Sequence, residues 1–143
     1  MTVEQEIELF VEQWPDEPGS CRKVFLDLYR FLQGLEQSRV LFHARAGITY
    51  SLRAAHHQVS DKELFVMVDV IEDSPRWLSV CFYEQMVTDP ESRGDSVPGG
   101  LLGEDGLCFD VESDSEEMLD YLKLRIIEAH AACSSPAFPK SPG

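Results

Sequence analysis

A cluster of basic side chains is the part of the sequence best suited to chemistry. No acidic residue lies between Glu36 and Asp61, yet this segment holds three arginines and three histidines. Arginine binds carboxylates and phosphates through two parallel hydrogen bonds, so the segment predicts a site for an anionic group. We expect four of these residues to contact the ligand: Arg39, His43, Arg45 and Arg53. In the alternative interpretation, acidic helices of the same chain or of a second subunit neutralise these charges.

Two histidines in the same segment, His56 and His57, are adjacent in the chain. Adjacent residues of a strand point to opposite faces of a sheet, and neither an H-x-H nor an H-x-x-x-H pair is present. We therefore predict solvated loop histidines and no metal site. Asp69 interrupts the apolar run Leu64 to Ile71, and an acid forced into a core has a raised pKa and acts as an acid or base. The more common outcome is that such a residue faces a strand end or an arginine.

The segment VPGGLLGEDG, residues 97–106, is rich in glycine. It lacks the lysine and the spacing of a phosphate-binding loop, and Glu104 and Asp105 would repel a phosphate. We predict a flexible loop with two exposed leucines, Leu101 and Leu102, that is available to a partner or folded over a pocket.

The composition describes an acidic globular protein with a formal net charge of -14. This charge argues against direct binding to nucleic acid or to anionic membranes. The four cysteines are widely spaced, which predicts buried, reduced thiols and no cofactor. No apolar run reaches the length of a membrane helix, and no signal peptide is recognisable, so we expect a cytoplasmic protein. The expected partner is an unknown protein or a small anionic ligand, and a homo-oligomer stays open.

The elements that position these residues follow from hydrophobic periodicity. Helical spacing predicts two N-terminal helices, before Pro15 and from Cys21 to Leu35, and a capping box at Ser113 and Glu116 predicts a C-terminal helix. Alternation from Val40 to Ala55 predicts a hairpin in which Gly47 ends a three-residue loop. In that register Ala44 pairs with Ile48, Phe42 with Tyr50, and Arg39 with Arg53.

Three further strands complete the expected sheet. They comprise Leu64 to Ile71, covered on both faces, the alternating segment around Leu78 to Phe82, and Leu107 to Val111. Between the last two strands lies a long irregular loop, Glu84 to Gly106. The sequence thus predicts an α+β fold of two layers, with a mostly antiparallel five-stranded sheet, two N-terminal helices and one C-terminal helix. Residues 1–133 form the single domain, and the proline-rich tail 134–143 is expected to be disordered.

The order of elements, with the segment GGLLGEDGLCFDVES and the helix after it, resembles small uncharacterised bacterial α+β proteins of a domain-of-unknown-function family. The resemblance covers residues 20–133 and depends on layout more than on a motif. It implies a bacterial protein and a fold. It transfers no catalytic residue.

Three functional hypotheses follow. The first is a non-enzymatic binding or interaction module whose basic hairpin and glycine-rich loop receive an anionic or peptide ligand. The second is an acidic mimic of nucleic acid that occupies a DNA-binding protein. The third is a small enzyme that uses Asp69 or a histidine, and we regard an enzyme as the weaker interpretation because no nucleophile motif is present.

Overall fold

A computed structural model describes residues 1–15, 17–57 and 64–133. It confirms the α+β class and the three helices, but the sheet has six strands, whereas five were predicted. The elements are α1 (Val3–Glu12), α2 (Arg22–Gln33), β1 (Ser38–Arg45), β2 (Thr49–His56), β3 (Val66–Ile71), β4 (Trp77–Tyr83), β5 (Asp95–Leu101), β6 (Glu104–Val111) and α3 (Glu116–Cys133). The tail 134–143 and Asp61 lie outside the described residues. No helix of the described part is long and apolar enough to cross a membrane.

The sheet is antiparallel throughout and has the order β1-β2-β3-β4-β6-β5. Alternating apolar residues such as Leu52, Val68, Val80 and Phe109 are fully buried on one face, which packs with the helices in a single core. The other face, which we call the open face, bears the intervening residues and has no helix in the described part. The prediction that β3 is covered on both faces is wrong, because its residues alternate between buried and half-buried.

The helix starts follow local capping chemistry. Thr2 and Gln5 form the capping box of α1. At α3, Ser115 accepts a hydrogen bond from the Met118 amide over 3.1 Å, so the cap is Ser115 and the predicted Ser113 box is wrong. A serine two residues closer to the helix satisfies the same free amides, and the acidic first turn still faces the positive end of the helix dipole.

The β1–β2 hairpin has the predicted loop length in a different register. Its loop is 46–48, and Arg45 pairs with Thr49, because Gly47 with φ of +79° occupies the middle of the loop instead of its end. Phe42 therefore pairs with Leu52, and Arg39 with Ala55. The error displaces the pairing by two residues, an even number, so each side chain keeps its predicted face.

The predicted irregular loop 84–106 contains strand β5. Pro98, Gly99 and Gly100 are poor strand formers, but an edge strand tolerates them, and a register shift between Val97 and Leu101 accommodates them. A Cβ at Gly106 would point to the open face and lie 3.3 Å from the Leu101 side chain. The glycine thus lets the end of the β5–β6 hairpin fold over the open face, and Leu101, predicted to be exposed, is fully buried.

Two of the four cysteines form a disulfide and the other two do not. Cys81 and Cys108 are directly opposite on β4 and β6, with their Cα atoms 4.1 Å apart, and form a disulfide on the open face. The prediction of reduced thiols is wrong for this pair. Cys21 and Cys133 are buried and form no disulfide, as predicted. Burial raises the pKa of the Cys21 thiol to about 11, although a backbone hydrogen bond and Arg76 act in the opposite direction.

Candidate functional site

A groove with a volume of about 1210 Å³ is lined by residues from both faces of the β1–β2 hairpin. Its open-face part, which we call the open-face groove, lies between the β1–β2 hairpin and the turn of the β5–β6 hairpin. The residues that line it are His43, Arg45, Ser51, Arg53, Met67, Asp69, Gly100 and Leu102.

Strand register explains why polar residues meet in this groove. Directly paired residues place His43, Ser51, Asp69, Ser79 and Asp110 in one row across five strands. Paired side chains on one face of a sheet are direct neighbours, so these five residues form a continuous polar row. The row crosses the groove at its first three positions and ends outside it at Asp110.

Arg53 is the anchored cation of the groove. It is half-buried, and its Nε donates to Ser51 Oγ over 3.0 Å. Ser51 is only 5% exposed, so the hydrogen-bond acceptor of the guanidinium is buried in the floor of the groove. No carboxylate of the described residues forms an ion pair with Arg53, with Arg45 or with His43. Neutralisation of the basic hairpin by the chain's own acidic helices, the alternative considered above, is thus not seen in the described part.

The groove unites three of the four predicted ligand-binding residues. His43 and Arg45 are exposed at its rim, and Arg53 lies deeper. Arg39 is near the other end of β1, where it borders a smaller groove beside α1 and α2. The predicted pairing of Arg39 with Arg53 is wrong, and the displaced register described above is the reason.

Asp69 is the unusual acid of this site. It lies between Ser51 and Ser79 on the neighbouring strands, and its Oδ1 is buried without a hydrogen-bond partner among the described residues. An unsatisfied buried oxygen is uncommon and costs free energy. Although Arg53 lines the same groove, the two residues form no ion pair. The carboxylate therefore has no cation from the described part of the chain.

Leu102 adds an apolar side chain to the groove, although its backbone has a conformation that is unfavourable for leucine. Leu102 and Gly103 form the β5–β6 turn, with φ of +50° and +86°, a conformation that favours asparagine and glycine. For a leucine it costs about 1 kcal/mol. The side chain is nevertheless 50% exposed over the groove, so burial in the core does not explain it.

The helix-side part of the same groove contains Arg76. Its guanidinium lies 5.0 Å from the ring centroid of Phe10, 5.1 Å from that of Trp14 and 5.4 Å from that of Tyr50, and it pairs with Glu72. These cation–π contacts fasten the β3–β4 turn to α1. The sequence analysis did not select Arg76, because nothing in the spacing brings it to three aromatic rings.

The open-face groove does not assemble a catalytic triad. Serine, histidine and aspartate are all present, but Ser51 lies between the other two, and its hydroxyl accepts a hydrogen bond from Arg53. A triad requires the imidazole between the hydroxyl and the carboxylate. The described residues also hold no group of three or more metal-ligating side chains. His56 lies in β2, near Phe65 and His130, and not in the predicted loop.

The opposite end of the open face is acidic. Burial raises the pKa of Asp110, and the nearby charges of Asp95 and Glu112 add to the increase. Asp110 on β6 and His43 on β1 thus lie at opposite ends of the polar row, with three strands between them.

Comparisons with protein-family models, curated proteins and solved structures found no match. The function is therefore argued from geometry and chemistry.

Proposed function

We propose that the protein is a non-enzymatic binding module whose open-face groove receives an anionic group, carried by a small molecule or by a peptide. The observation that carries this proposal is the anchored Arg53 in one groove with Arg45 and His43, none of which forms an ion pair with a carboxylate of the described residues. An arginine held by a buried hydroxyl is prepared to bind a carboxylate or a phosphate at a low entropic cost.

The overall charge makes this local arrangement more informative. A chain with a net charge of -14 repels anions at long range, so an anion must gain its binding energy from direct contacts. At physiological ionic strength charges are screened over about 8 Å, which limits the repulsion from distant carboxylates. A basic groove on such a protein therefore favours a small or extended anion over a nucleic-acid backbone.

The other two hypotheses have less support. The acidic mimic of nucleic acid stays a prediction, and it draws on the crowded carboxylates of β5 and β6, whose repulsion a basic partner would relieve. The enzyme stays the weaker interpretation, because the described residues give neither an activated nucleophile nor a metal site. The cytoplasmic location stays a prediction, and the Cys81–Cys108 disulfide weighs against it, because the cytosol keeps most thiols reduced.

The test is a titration of the ¹⁵N-labelled protein with leucine, 4-methylpentanoate, inorganic phosphate and a hexaglutamate peptide, followed by amide chemical shifts. At least one of these anions is expected to shift the amides around Ser51 and Arg53 at millimolar concentration. The double variant Arg45→Gln/Arg53→Gln is expected to weaken that binding by about tenfold or more, since it removes both guanidinium groups.

The matched control is Arg30→Gln. Arg30 is an exposed arginine of α2, outside the groove, so its replacement changes the net charge without touching the site. Binding that is lost equally in the control, or an absence of binding for every anion tested, would show that the groove is not an anion site.

A further inference from the structure

We infer that the anion bound in the open-face groove is the carboxylate of a zwitterion, an α-amino acid with an apolar side chain. The inference depends on the proposed function, because Arg53 and Arg45 bind the carboxylate in both. It adds two features of the ligand: an ammonium group that pairs with Asp69, and an apolar side chain that contacts Leu102 and Met67.

The ammonium group of the ligand would provide the partner that Asp69 lacks in the described part of the chain. This carboxylate lines a groove that two arginines and a histidine also line, and yet its Oδ1 is buried without a hydrogen-bond partner and it forms no ion pair within the described part of the chain. A carboxylate in such a position is costly unless it is paired. A ligand that brings its own cation supplies the pairing, whereas a simple anion would place a second negative charge beside Asp69.

Strand register places the two charges at the spacing of a zwitterion. Ser51 pairs with Asp69 across β2 and β3, and Arg53 is two residues from Ser51 on the same face. Directly opposed side chains are about 5 Å apart and diagonal ones about 7–8 Å apart, so one small molecule can contact both. The ammonium and carboxylate groups of an α-amino acid are adjacent in the molecule. They match Asp69 and Arg53, which are neighbours but form no ion pair with each other.

The apolar contact comes from the β5–β6 turn. Leu102 overhangs the groove in a left-handed conformation that favours asparagine or glycine. A strained, half-exposed leucine is explained if its side chain contacts a ligand. Met67, half-buried on the groove floor, is an adaptable apolar surface for a ligand side chain.

The experiment compares leucine with three close analogues in the same amide-shift titration. 4-Methylpentanoate lacks the ammonium group, leucinamide lacks the carboxylate, and glycine lacks the apolar side chain. Leucine is expected to bind at least tenfold more tightly than each analogue. If 4-methylpentanoate binds as tightly as leucine, the anion site stands and the zwitterion is wrong. If leucine, 4-methylpentanoate and every other anion tested fail to bind, the proposed function itself is wrong.

Two variants assign the contacts. Asp69→Asn is expected to remove the preference for leucine over 4-methylpentanoate, and Asp110→Asn, in the same polar row but outside the groove, is the matched control that keeps it. Leu102→Asn is expected to abolish the preference for leucine over glycine without loss of stability, because asparagine suits the turn. An unchanged preference in Asp69→Asn or in Leu102→Asn would contradict the corresponding contact.

Discussion

At the scale of single residues, Ser51 decides how the site is built. Its hydroxyl is buried beneath the sheet surface and accepts the hydrogen bond from Arg53 Nε. Without this hydrogen bond, the Arg53 side chain would be ordered only when the ligand binds, and the loss of conformational entropy would weaken binding. A buried serine thus has a positioning role although it does not act as a nucleophile.

We therefore predict that Ser51→Ala weakens anion binding several-fold and lowers the free energy of unfolding by about 1 kcal/mol, the usual contribution of one hydrogen bond. Amide-shift titration and urea unfolding measure the two effects. Ser79→Ala is the control, because Ser79 lies in the same row and its side chain has no hydrogen bond to a groove residue in the described part, only one of 3.5 Å with the Cys81 sulfur. An affinity reduced as much by Ser79→Ala would remove the special role of Ser51.

The sequence revealed the charged residues of this site but not its floor. The gap in acidic residues between Glu36 and Asp61 was sufficient to select His43, Arg45 and Arg53, because charge is visible without a fold. Ser51 and Met67 could not be selected, since a serine or methionine becomes part of a site only through cross-strand register. Arg39 was selected with them, but it lies near the other end of β1, beside α1 and α2, and its predicted position opposite Arg53 depended on a loop displaced by one residue.

At the scale of elements, a polar network fastens the segment between β4 and β5 to α3. Asp89 accepts hydrogen bonds from the amides of Arg93 and Gly94, over 2.9 and 2.8 Å, and from the Tyr121 hydroxyl. Glu128 accepts from the Thr88 amide over 3.2 Å and pairs with the buried Arg125. The network fixes the segment that leads into β5, which in turn carries one wall of the groove.

This network predicts a defined pH dependence. Burial alone would raise the pKa of Asp89, but the hydrogen bonds from Tyr121, Gly94 and Arg93 and the charge of Arg125 outweigh it, and the net pKa is lowered. For Glu128, burial is likewise outweighed by Thr88 and Arg125. Both carboxylates therefore stabilise the fold above their ordinary pKa values of 3.8 and 4.5, and this stabilisation is lost as the pH falls through the lowered values.

The expected result is that the double variant Asp89→Asn/Glu128→Gln is less stable than the wild type at pH 7, and that the difference shrinks between pH 5 and pH 3. Urea unfolding across this range measures it. The control is Asp120→Asn, which removes an exposed carboxylate of α3 with no hydrogen bond in the described part. Its stability should stay close to that of the wild type at every pH. Asp110, whose pKa is raised, contributes with the opposite sign and is present in all three proteins. A constant difference at every pH would contradict the network.

Elements differ in how well the sequence predicts them, and the reason is the type of evidence each offers. The helices and five of the six strands have strong periodicity, so their existence was correctly predicted. Strand β5 has Pro98, Gly99 and Gly100, which are the usual signs of a loop, and only its pairing with β6 makes it a strand. Its detection required the tertiary partner.

At the scale of the whole molecule, the open face joins two chemically different halves. The basic hairpin of β1 and β2 and the acidic hairpin of β5 and β6 occupy opposite edges of one sheet. Composition indicated the acidity, and hydrophobic periodicity indicated the fold class. Neither indicated that β6 lies between β4 and β5, which is what places the end of an acidic hairpin across a basic groove.

The disulfide secures this arrangement where the two halves meet. Cys81 on β4 and Cys108 on β6 are separated by 27 positions in the chain, and the intervening residues include all of β5. A bond that closes a loop of this size restricts the unfolded chain and stabilises a fold by about 2–4 kcal/mol. Widely spaced cysteines give no sign of such a pair in the sequence, because only the β4–β6 register makes them opposite.

We predict that, of the four cysteines of the protein purified without reductant, two react with a thiol reagent in denaturant, Cys21 and Cys133. Reduction is expected to lower its free energy of unfolding by about 2–4 kcal/mol. Thiol titration and urea unfolding with and without a phosphine reductant measure both quantities. The variant Cys81→Ser/Cys108→Ser should be insensitive to the reductant and should match the reduced wild type in stability. Four titratable thiols in the oxidised protein, together with a stability that reduction leaves unchanged, would mean that the two opposed cysteines are not bonded and that strand pairing alone holds the two halves together.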